Sequence, residues 1–200
     1  MLESTITRKG QVTIPKAIRD RLGVKEGEKV LFVMRGEEVV LKVVKGTILD
    51  LRGSVQPSVR PEYFEKIRQS VKQLLPRRWP GMANRFVDTN MFLRFLTNDD
   101  PAKAKRAETL FRDALRGKIR LATSLLVIAE IIWTLESFYK LEKSDIAAKV
   151  EKILNTPNLD CPEASLLYMA LDLYVHANID FVDAYNAFHM KEQGLTEILT

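Results

Sequence analysis

Acidic residues in the second half of the 200-residue chain stand where carboxylates are able to do chemistry. Asp88 ends NRFVD, a short apolar run that predicts a strand, and ligands of open α/β sheets bind at that end of a strand. Asp88 is equally well placed to cap the helix predicted to begin near Asn90. Glu130 lies in SLLVIAEIIWTLESF, which is apolar nearly all round. A charge there costs several kcal/mol unless it is paired or bound to a metal, although a position at the helix edge or a bridge to an arginine would also explain it.

Two further acids belong to IDFVDAYNAFHMK, which predicts an amphipathic helix. Asp180 fits the N-cap of that helix, and Asp183 falls at its third position, where negative charge suits the helix dipole. This structural role explains Asp180 fully and Asp183 only in part, because Asp183 has apolar or aromatic neighbours on both sides.

The elements that must position these acids follow an α/β order. From residue 84 the pattern of strand, helix, helix, strand, long helix, helices and strand predicts a parallel sheet flanked by helices. The order of DTN, then S-x(5)-E beginning at Ser124, then D-x-x-DA-x-x-A is similar to the PIN-domain ribonucleases of the VapC toxin type, over about residues 84–200. The resemblance implies that Asp88, Glu130 and Asp183 are catalytic and bind Mg²⁺ or Mn²⁺. Clustered carboxylates suit such hard ions, which activate water for phosphodiester hydrolysis.

The sequence departs from this family at its end. PIN domains usually carry a fourth acid after the last strand, in a segment like T-F-D, whereas the sequence stops at Thr200. We therefore expect either a truncated chain or an incomplete site. Asp180, one helical turn from Asp183, is a partial substitute as a metal ligand.

Charge divides the chain near residue 80. Residues 1–81 contain 17 Lys/Arg and 9 Asp/Glu, whereas residues 82–200 contain 14 and 17. A positive excess in one half is typical of phosphate binding. The segment PRRWPG (76–81) breaks every periodic pattern and marks the boundary.

Residues 4–45 predict short strands and one helix. STITRKGQVTIP has two β-branched stretches around a Lys-Gly turn, and KVLFVM and VVLKVV flank a hairpin at RGEE. Pro15 suits the start of the helix KAIRDRLG, and Gly23 suits its end. Four short strands make too small a core to be stable alone, so we expect an intertwined dimer.

The stretch STITRKGQVTIPKAIRDRLGVKEGEKV resembles the AbrB/MazE family of swapped-hairpin DNA-binding domains, over about residues 2–46. The resemblance implies a small all-β homodimer whose basic residues contact DNA. Arginine neutralises phosphate and reads guanine edges, which agrees with that role. The candidates are Arg8, Lys9, Lys16 and Arg19. A solvated surface charge is the alternative, above all for the last two.

Residues 46–75 predict a loop, GTILDLRGSVQPSV, followed by the helix PEYFEKIRQSVKQLL with one apolar stripe. This amphipathic tail helix resembles the C-terminal tail of an antitoxin, which implies that it lies in a groove of the toxin; packing on its own N-terminal domain is the alternative. Arginine is the natural blocker of an acidic site, because its guanidinium bonds bidentately to carboxylates. The candidates are Arg60, Arg68, Arg77 and Arg78.

Together these patterns predict an AbrB-like domain (1–46), an antitoxin tail and linker (47–81) and a PIN domain (82–200) that starts where a separate toxin would have its Met82. The expected function is an endoribonuclease restrained by an attached antitoxin that binds operator DNA. The alternative is a DNA-binding autorepressor with an inactive PIN module. A homodimer or higher oligomer is expected through the N-terminal domain, with the PIN domain as a second contact. A single cysteine, no signal peptide and no membrane-length apolar run predict a cytoplasmic protein.

Overall fold

The computed structural model describes residues 3–35, 38–56 and 84–199. The chain divides into two compact units, Met1–Lys45 and Gly46–Thr200, and each is described by itself. The predicted tail helix, Met82 and the four arginines proposed as blockers lie outside the described residues.

The first unit contains the predicted helix and hairpin. Helix α1 (Lys16–Leu22) follows Pro15 and ends at Gly23, whose φ of 61° is the left-handed conformation that glycine adopts without strain. Strands β1 (Val30–Arg35) and β2 (Glu38–Val43) pair antiparallel, with Val33 opposite Val40. The helix and the hairpin are both confirmed.

The stretches predicted as strands around the Lys-Gly turn are not strands in the single chain. A turn closes between them, where the N–H of Thr7 donates to the carbonyl of Gln11 (2.8 Å) and Ser4 Oγ donates to the carbonyl of Thr13 (2.7 Å). Both stretches are exposed, with Ile6 70% accessible, and neither has a neighbouring strand within the described part of this unit to complete a ladder.

The second unit is built on a parallel sheet of β3 (Asn84–Phe86), β4 (Arg120–Ala122) and β5 (Leu159–Asp160), in that spatial order. Parallel neighbours require crossover connections, and helices supply them. In chain order these helices are α2 (Thr89–Thr97), α3 (Pro101–Leu115), α4 (Leu125–Ser137), α5 (Lys143–Leu154), α6 (Ala164–His176) and α7 (Phe181–Glu192). The predicted α/β fold is confirmed. Beyond α7, residues 193–199 hold no strand.

An apolar core fills the space between the sheet and its helices. Phe111 of α3 stacks on Phe92 and meets the ring of Phe95 edge-on, with centroids 5.8 and 5.1 Å apart. Leu121 of the central strand and Ile128 of α4 are fully buried in the same cluster. This packing fixes the helix capped by Asp88, α2, and the helix that carries Glu130, α4, in one core.

Residues 46–56, predicted as a loop, pack into this same core. They contain a 3₁₀ helix, Ile48–Leu51, that begins with a capping box: Thr47 Oγ1 accepts from Leu49 N–H, and the Asp50 carboxylate accepts from Thr47 N–H (2.7 Å). Ile48, Leu51 and Val55 are buried among residues of the second unit.

Within the ranges that the structure covers, no helix is both long enough and apolar enough to cross a membrane.

Candidate functional site

Asp88 lies at the carboxyl end of β3, between strand and helix. The ladder continues past β3, since the N–H of Val87 donates to the carbonyl of Ala122 (2.8 Å). Asp88 is half-buried and caps α2, because its Oδ1 accepts from the N–H of Met91 (3.1 Å). The predicted cap is confirmed, and it engages one oxygen of the carboxylate.

Glu130 is held by a hydroxyl from the neighbouring helix. Its carboxylate Oε2 accepts a short hydrogen bond from Thr89 Oγ1, and Thr89 is only 1% exposed. Glu130 itself is half-buried, while Ile131 and Ile132 on the same helix are in the core. Since a hydroxyl bond offsets part of the cost of placing a carboxylate in apolar surroundings, this contact explains how α4 accommodates the acid.

Thr89 therefore links the first two predicted acids, because it follows Asp88 in the chain and bonds to Glu130. Its own placement depends on the strand ends. Thr123 Oγ1 donates to the carbonyl of Val87 (3.1 Å), and Thr123 N–H donates to the carbonyl of Asp160 (2.9 Å). One buried threonine thus joins all three strands at the edge where the acids lie.

Asp180 and Asp183 lie at the start of α7. Asp180 caps the helix, with its Oδ1 accepting from the N–H of Val182 (2.7 Å), as predicted. Asp183 follows in the first turn, where the helix dipole favours a negative charge. Both residues are exposed. Helix α7 packs on α4, the helix that carries Glu130.

The donor chemistry of these acids suits a divalent cation, because all four offer carboxylate oxygens, the ligands preferred by hard ions. The structure brings Asp88 and Glu130 together through Thr89. In the described ranges, however, no three His, Cys, Asp or Glu side chains stand close enough to hold a metal ion, so Asp183 and Asp180 are not assembled with the first two.

Other reactive groups near α7 are kept protonated. Burial, together with the charge of Glu163, raises the pKa of the Cys161 thiol to about 11. A hydrogen bond from Tyr185 Oη to Glu163 Oε2 (2.5 Å) raises the pKa of the Tyr185 hydroxyl to about 12. Neither the Cys161 thiol nor the Tyr185 hydroxyl therefore supplies a nucleophilic anion at neutral pH.

The four basic residues predicted to contact DNA are all exposed on the first unit. Arg8 and Lys9 occupy the turn before Gly10, whose φ is 72°. Lys16 begins α1, and Arg19 Nε donates to the carbonyl of Ile14 (3.1 Å), which ties its side chain to the start of that helix.

Sequence patterns missed Thr89 and the docked segment 46–56. Thr89 stands in the quoted DTN motif, but its bond to Glu130 joins residues 41 positions apart in the chain. The segment had one local signal, a threonine three residues before Asp50, which is a capping-box spacing.

Comparison with known proteins finds likeness in both units. Residues 3–48 match the family model of the MazE antitoxin, described as antidote-toxin recognition MazE, bacterial antitoxin, and residues 85–200 match the PIN domain model. The chain is 28% identical to the VapC ribonuclease of Aquifex aeolicus (strain VF5) over an alignment of 116 residues. That alignment covers 58% of this chain and 85% of the ribonuclease. No solved structure matches the chain.

Proposed function

Because the chain belongs to the PIN-domain family over residues 85–200 and carries a MazE-type antitoxin domain before it, we propose that it is a toxin–antitoxin fusion that cleaves RNA under the restraint of its own front half. The substrate class follows the similar protein, which is a VapC ribonuclease. The cytoplasm is the proposed place of action.

One observation carries the nuclease proposal: Asp88 and Glu130 are joined through Thr89 at the carboxyl edge of a parallel sheet. Ligands of open α/β folds bind at this edge. The buried hydroxyl of Thr89 holds the Glu130 carboxylate on the side where Asp88 leaves its strand. Asp183, on the helix packed against α4, is the third proposed catalytic acid.

Nucleases of this family generally use divalent metal ions. We assign Mg²⁺ or Mn²⁺ to the carboxylates of Asp88, Glu130 and Asp183, with Asp180 as an auxiliary ligand. Such an ion, when bound, lowers the pKa of a coordinated water and offsets the charge that develops on the phosphate. The acids would hold the ion, and the ion would draw the RNA phosphate to the site. The Asp88 and Asp180 caps hold two of the acids at helix ends.

Restraint is assigned to the predicted tail helix. An arginine from that segment would bond bidentately to the acids and exclude the cation. Arg60, Arg68, Arg77 and Arg78 remain the candidates. Tethering favours this contact, because a linked inhibitor reaches an effective concentration of about a millimolar.

Operator binding is assigned to the first unit. Arg8, Lys9, Lys16 and Arg19 are exposed, which phosphate contact requires. A homodimer is supported by exposed apolar side chains on the hairpin, since Phe32 and Val39 are each more than half accessible. So small a unit needs a partner to bury such surface.

A second candidate is favoured by the separation of the acids. In the parts of the chain that the structure describes, no three of them form a metal-holding group. The chain would then be an autorepressor whose PIN module is catalytically inactive and serves as an oligomerisation unit or corepressor.

The two candidates are distinguished by an assay of the full chain carrying protease sites on both sides of the predicted tail helix, one within residues 57–60 and one within residues 76–83. Cleavage of single-stranded RNA is measured with Mg²⁺ or Mn²⁺ before and after the chain is cut. We expect cutting at both sites to raise RNA cleavage, because the tail segment then loses its covalent tether and its effective concentration at the acidic site falls.

Asp88→Asn is expected to reduce cleavage at least about a hundredfold, the scale of losing a group that acts in the transition state. Asp113→Asn on α3, away from the site, is the matched control and should leave the rate unchanged. If neither the intact nor the cut chain degrades RNA with either ion, the nuclease proposal fails and the autorepressor is favoured.

A further inference from the structure

Residues 46–56 occupy a groove of the second unit. Ile48, Leu51 and Val55 are each at most 3% exposed and belong to the same apolar cluster as the helices around them. Their spacing places three apolar side chains on one side of the 3₁₀ helix and its extension. The burial is as complete as that of Phe92 and Phe111 in the centre of the core.

The backbone of this segment is also bonded to the groove. The N–H groups of Gly53 and Val55 donate to the carbonyls of Phe95 and Leu96 at the end of α2, both at 3.0 Å. At its start, the N–H of Ile48 donates to Thr156 Oγ1 (3.0 Å). Buried backbone groups that find partners in this way make a docked segment specific as well as apolar.

An ion pair adds to the specificity of the contact. Arg52 pairs with Glu108 of α3, which is 6% exposed and also accepts from Arg112 (2.7 Å). Charge-assisted bonds to a carboxylate held between two arginines are directional. Arg52, directly after the second buried apolar residue, therefore adds a charged contact to the apolar ones.

The groove lies at the opposite edge of the sheet from the acids. Helix α2 starts beside Asp88 at the carboxyl end of β3 and reaches Phe95 and Leu96 after about 10 Å. Thr156 precedes β5 and so lies at its amino end. The docked segment contacts these positions, not the carboxyl edge of the sheet where Asp88 and Glu130 lie.

We infer that residues 46–56 are a docking anchor and that its groove is a protein-binding surface separate from the acidic site. The partner that fits is a segment with apolar residues spaced as Ile48, Leu51 and Val55 and with an arginine at the position of Arg52. Through chain continuity the anchor keeps residues 1–45 attached to the second unit, and the anchor itself does not cover the carboxylates. It needs no covalent link through residues 57–83. This inference does not depend on RNA cleavage.

The full chain with a protease site within residues 57–60, before the predicted tail helix, tests the anchor. After cutting, the front fragment, which contains residues 1–56, is expected to co-elute with the remainder of the chain in gel filtration. Leu51→Asp should abolish co-elution, whereas Ser54→Asp, which adds the same charge at an exposed neighbouring position, should preserve it. Separation of the parent fragments, or co-elution with Leu51→Asp, would overturn the proposal.

A peptide competition keeps the test valid if the Leu51→Asp chain does not fold. A synthetic peptide of residues 45–56 should displace the front fragment from the cut parent complex. The same peptide with Leu51→Ala should compete on the order of a hundredfold less well, the usual scale for removing a buried leucine side chain. Equal competition by both peptides, or none by either, would contradict a groove that recognises this segment.

Discussion

The hydroxyl of Thr89 donates a hydrogen bond to Oε2 of Glu130. The bond joins α2 and α4, two helices that follow neighbouring strands of the parallel sheet. The threonine is buried directly after Asp88, so one side chain sets the relation between two proposed catalytic acids. Local sequence predicts each acid separately, whereas this bond defines them as a pair.

Replacing Thr89 with valine should separate positioning from folding. Thr89→Val keeps the shape of the side chain but removes the donor, so we expect RNA cleavage by the cut chain to fall between ten- and about a hundredfold, as small misplacements of reacting groups do. Thr89→Ser retains the hydroxyl and should keep most of the rate. Single-turnover kinetics and Mn²⁺ titration calorimetry measure the effect, and equal rates for the two variants would mean that the bond does not position Glu130.

The start of α7 allows capping to be distinguished from metal binding. Asp180→Ala should lower the free energy of unfolding by about 1 kcal/mol, because the N–H of Val182 loses its acceptor. Asp180→Ser restores the cap without a carboxylate and should recover most of that loss. We expect Asp180→Ser to weaken Mn²⁺ binding by about tenfold, the lower range for an auxiliary group around a metal. Unchanged Mn²⁺ affinity would leave Asp180 as a helix cap alone.

The anchor should weaken in acid. A hydrogen bond from Arg112, with the charges of Arg52 and Lys105, lowers the pKa of Glu108 below its ordinary value of 4.5. A carboxyl with a lowered pKa stabilises the folded state above its unfolded pKa, and this stabilisation is lost as pH falls through the folded pKa. Thermal unfolding from pH 7 to pH 3 should therefore show Glu108→Gln less stable than the parent near neutrality, with the difference shrinking below about pH 4.

Glu142→Gln is the control for this titration, because Glu142 is exposed and caps α5 without a side-chain bond. Its unfolding profile should follow that of the parent throughout. If the difference in stability between Glu108→Gln and the parent stays constant with pH, the ion pair with Arg52 contributes no stability that depends on ionisation.

Binding to operator DNA should depend on Arg8 and Lys9. Replacing both with glutamine should weaken DNA binding by the full chain and reduce the slope of log K against log salt by about 0.9 for each phosphate that the protein no longer neutralises. Lys29→Gln, an exposed lysine just before β1, is the matched control for the removal of one charge. Titrations across a range of salt concentrations measure the slope, and an unaltered slope in the double variant would exclude phosphate binding by this turn.

Local signals predicted the parts of the molecule that local interactions determine. Pro15 and Gly23 bound α1, and Asp88 and Asp180 cap their helices, because caps and turns depend on residues only a few positions apart. Alternation around RGEE likewise gave the hairpin.

The features that were missed depend on distant parts of the chain. The sequence around Ile48, Leu51 and Val55 predicted a loop, because the residues that bury these side chains come from helices far along the chain. Thr89 was missed because the acid to which it bonds is on another helix. The stretches around the Lys-Gly turn are rich in the β-branched residues that favour strands. A strand also needs a neighbouring strand to bond to, and composition does not reveal whether one is present.

The anchor also has a consequence for the order in which the protein folds. The bond between Ile48 and Thr156 joins residues 108 positions apart, so the anchor leaves the ribosome well before its groove exists. Contacts of such long range slow folding, because the intervening chain must be ordered before they form. The contacts of the anchor with α2 and α3 become available early, whereas its bond to Thr156 needs the chain beyond α5. Until that part is synthesised, Ile48, Leu51 and Val55 are an apolar surface that the nascent chain covers only in part.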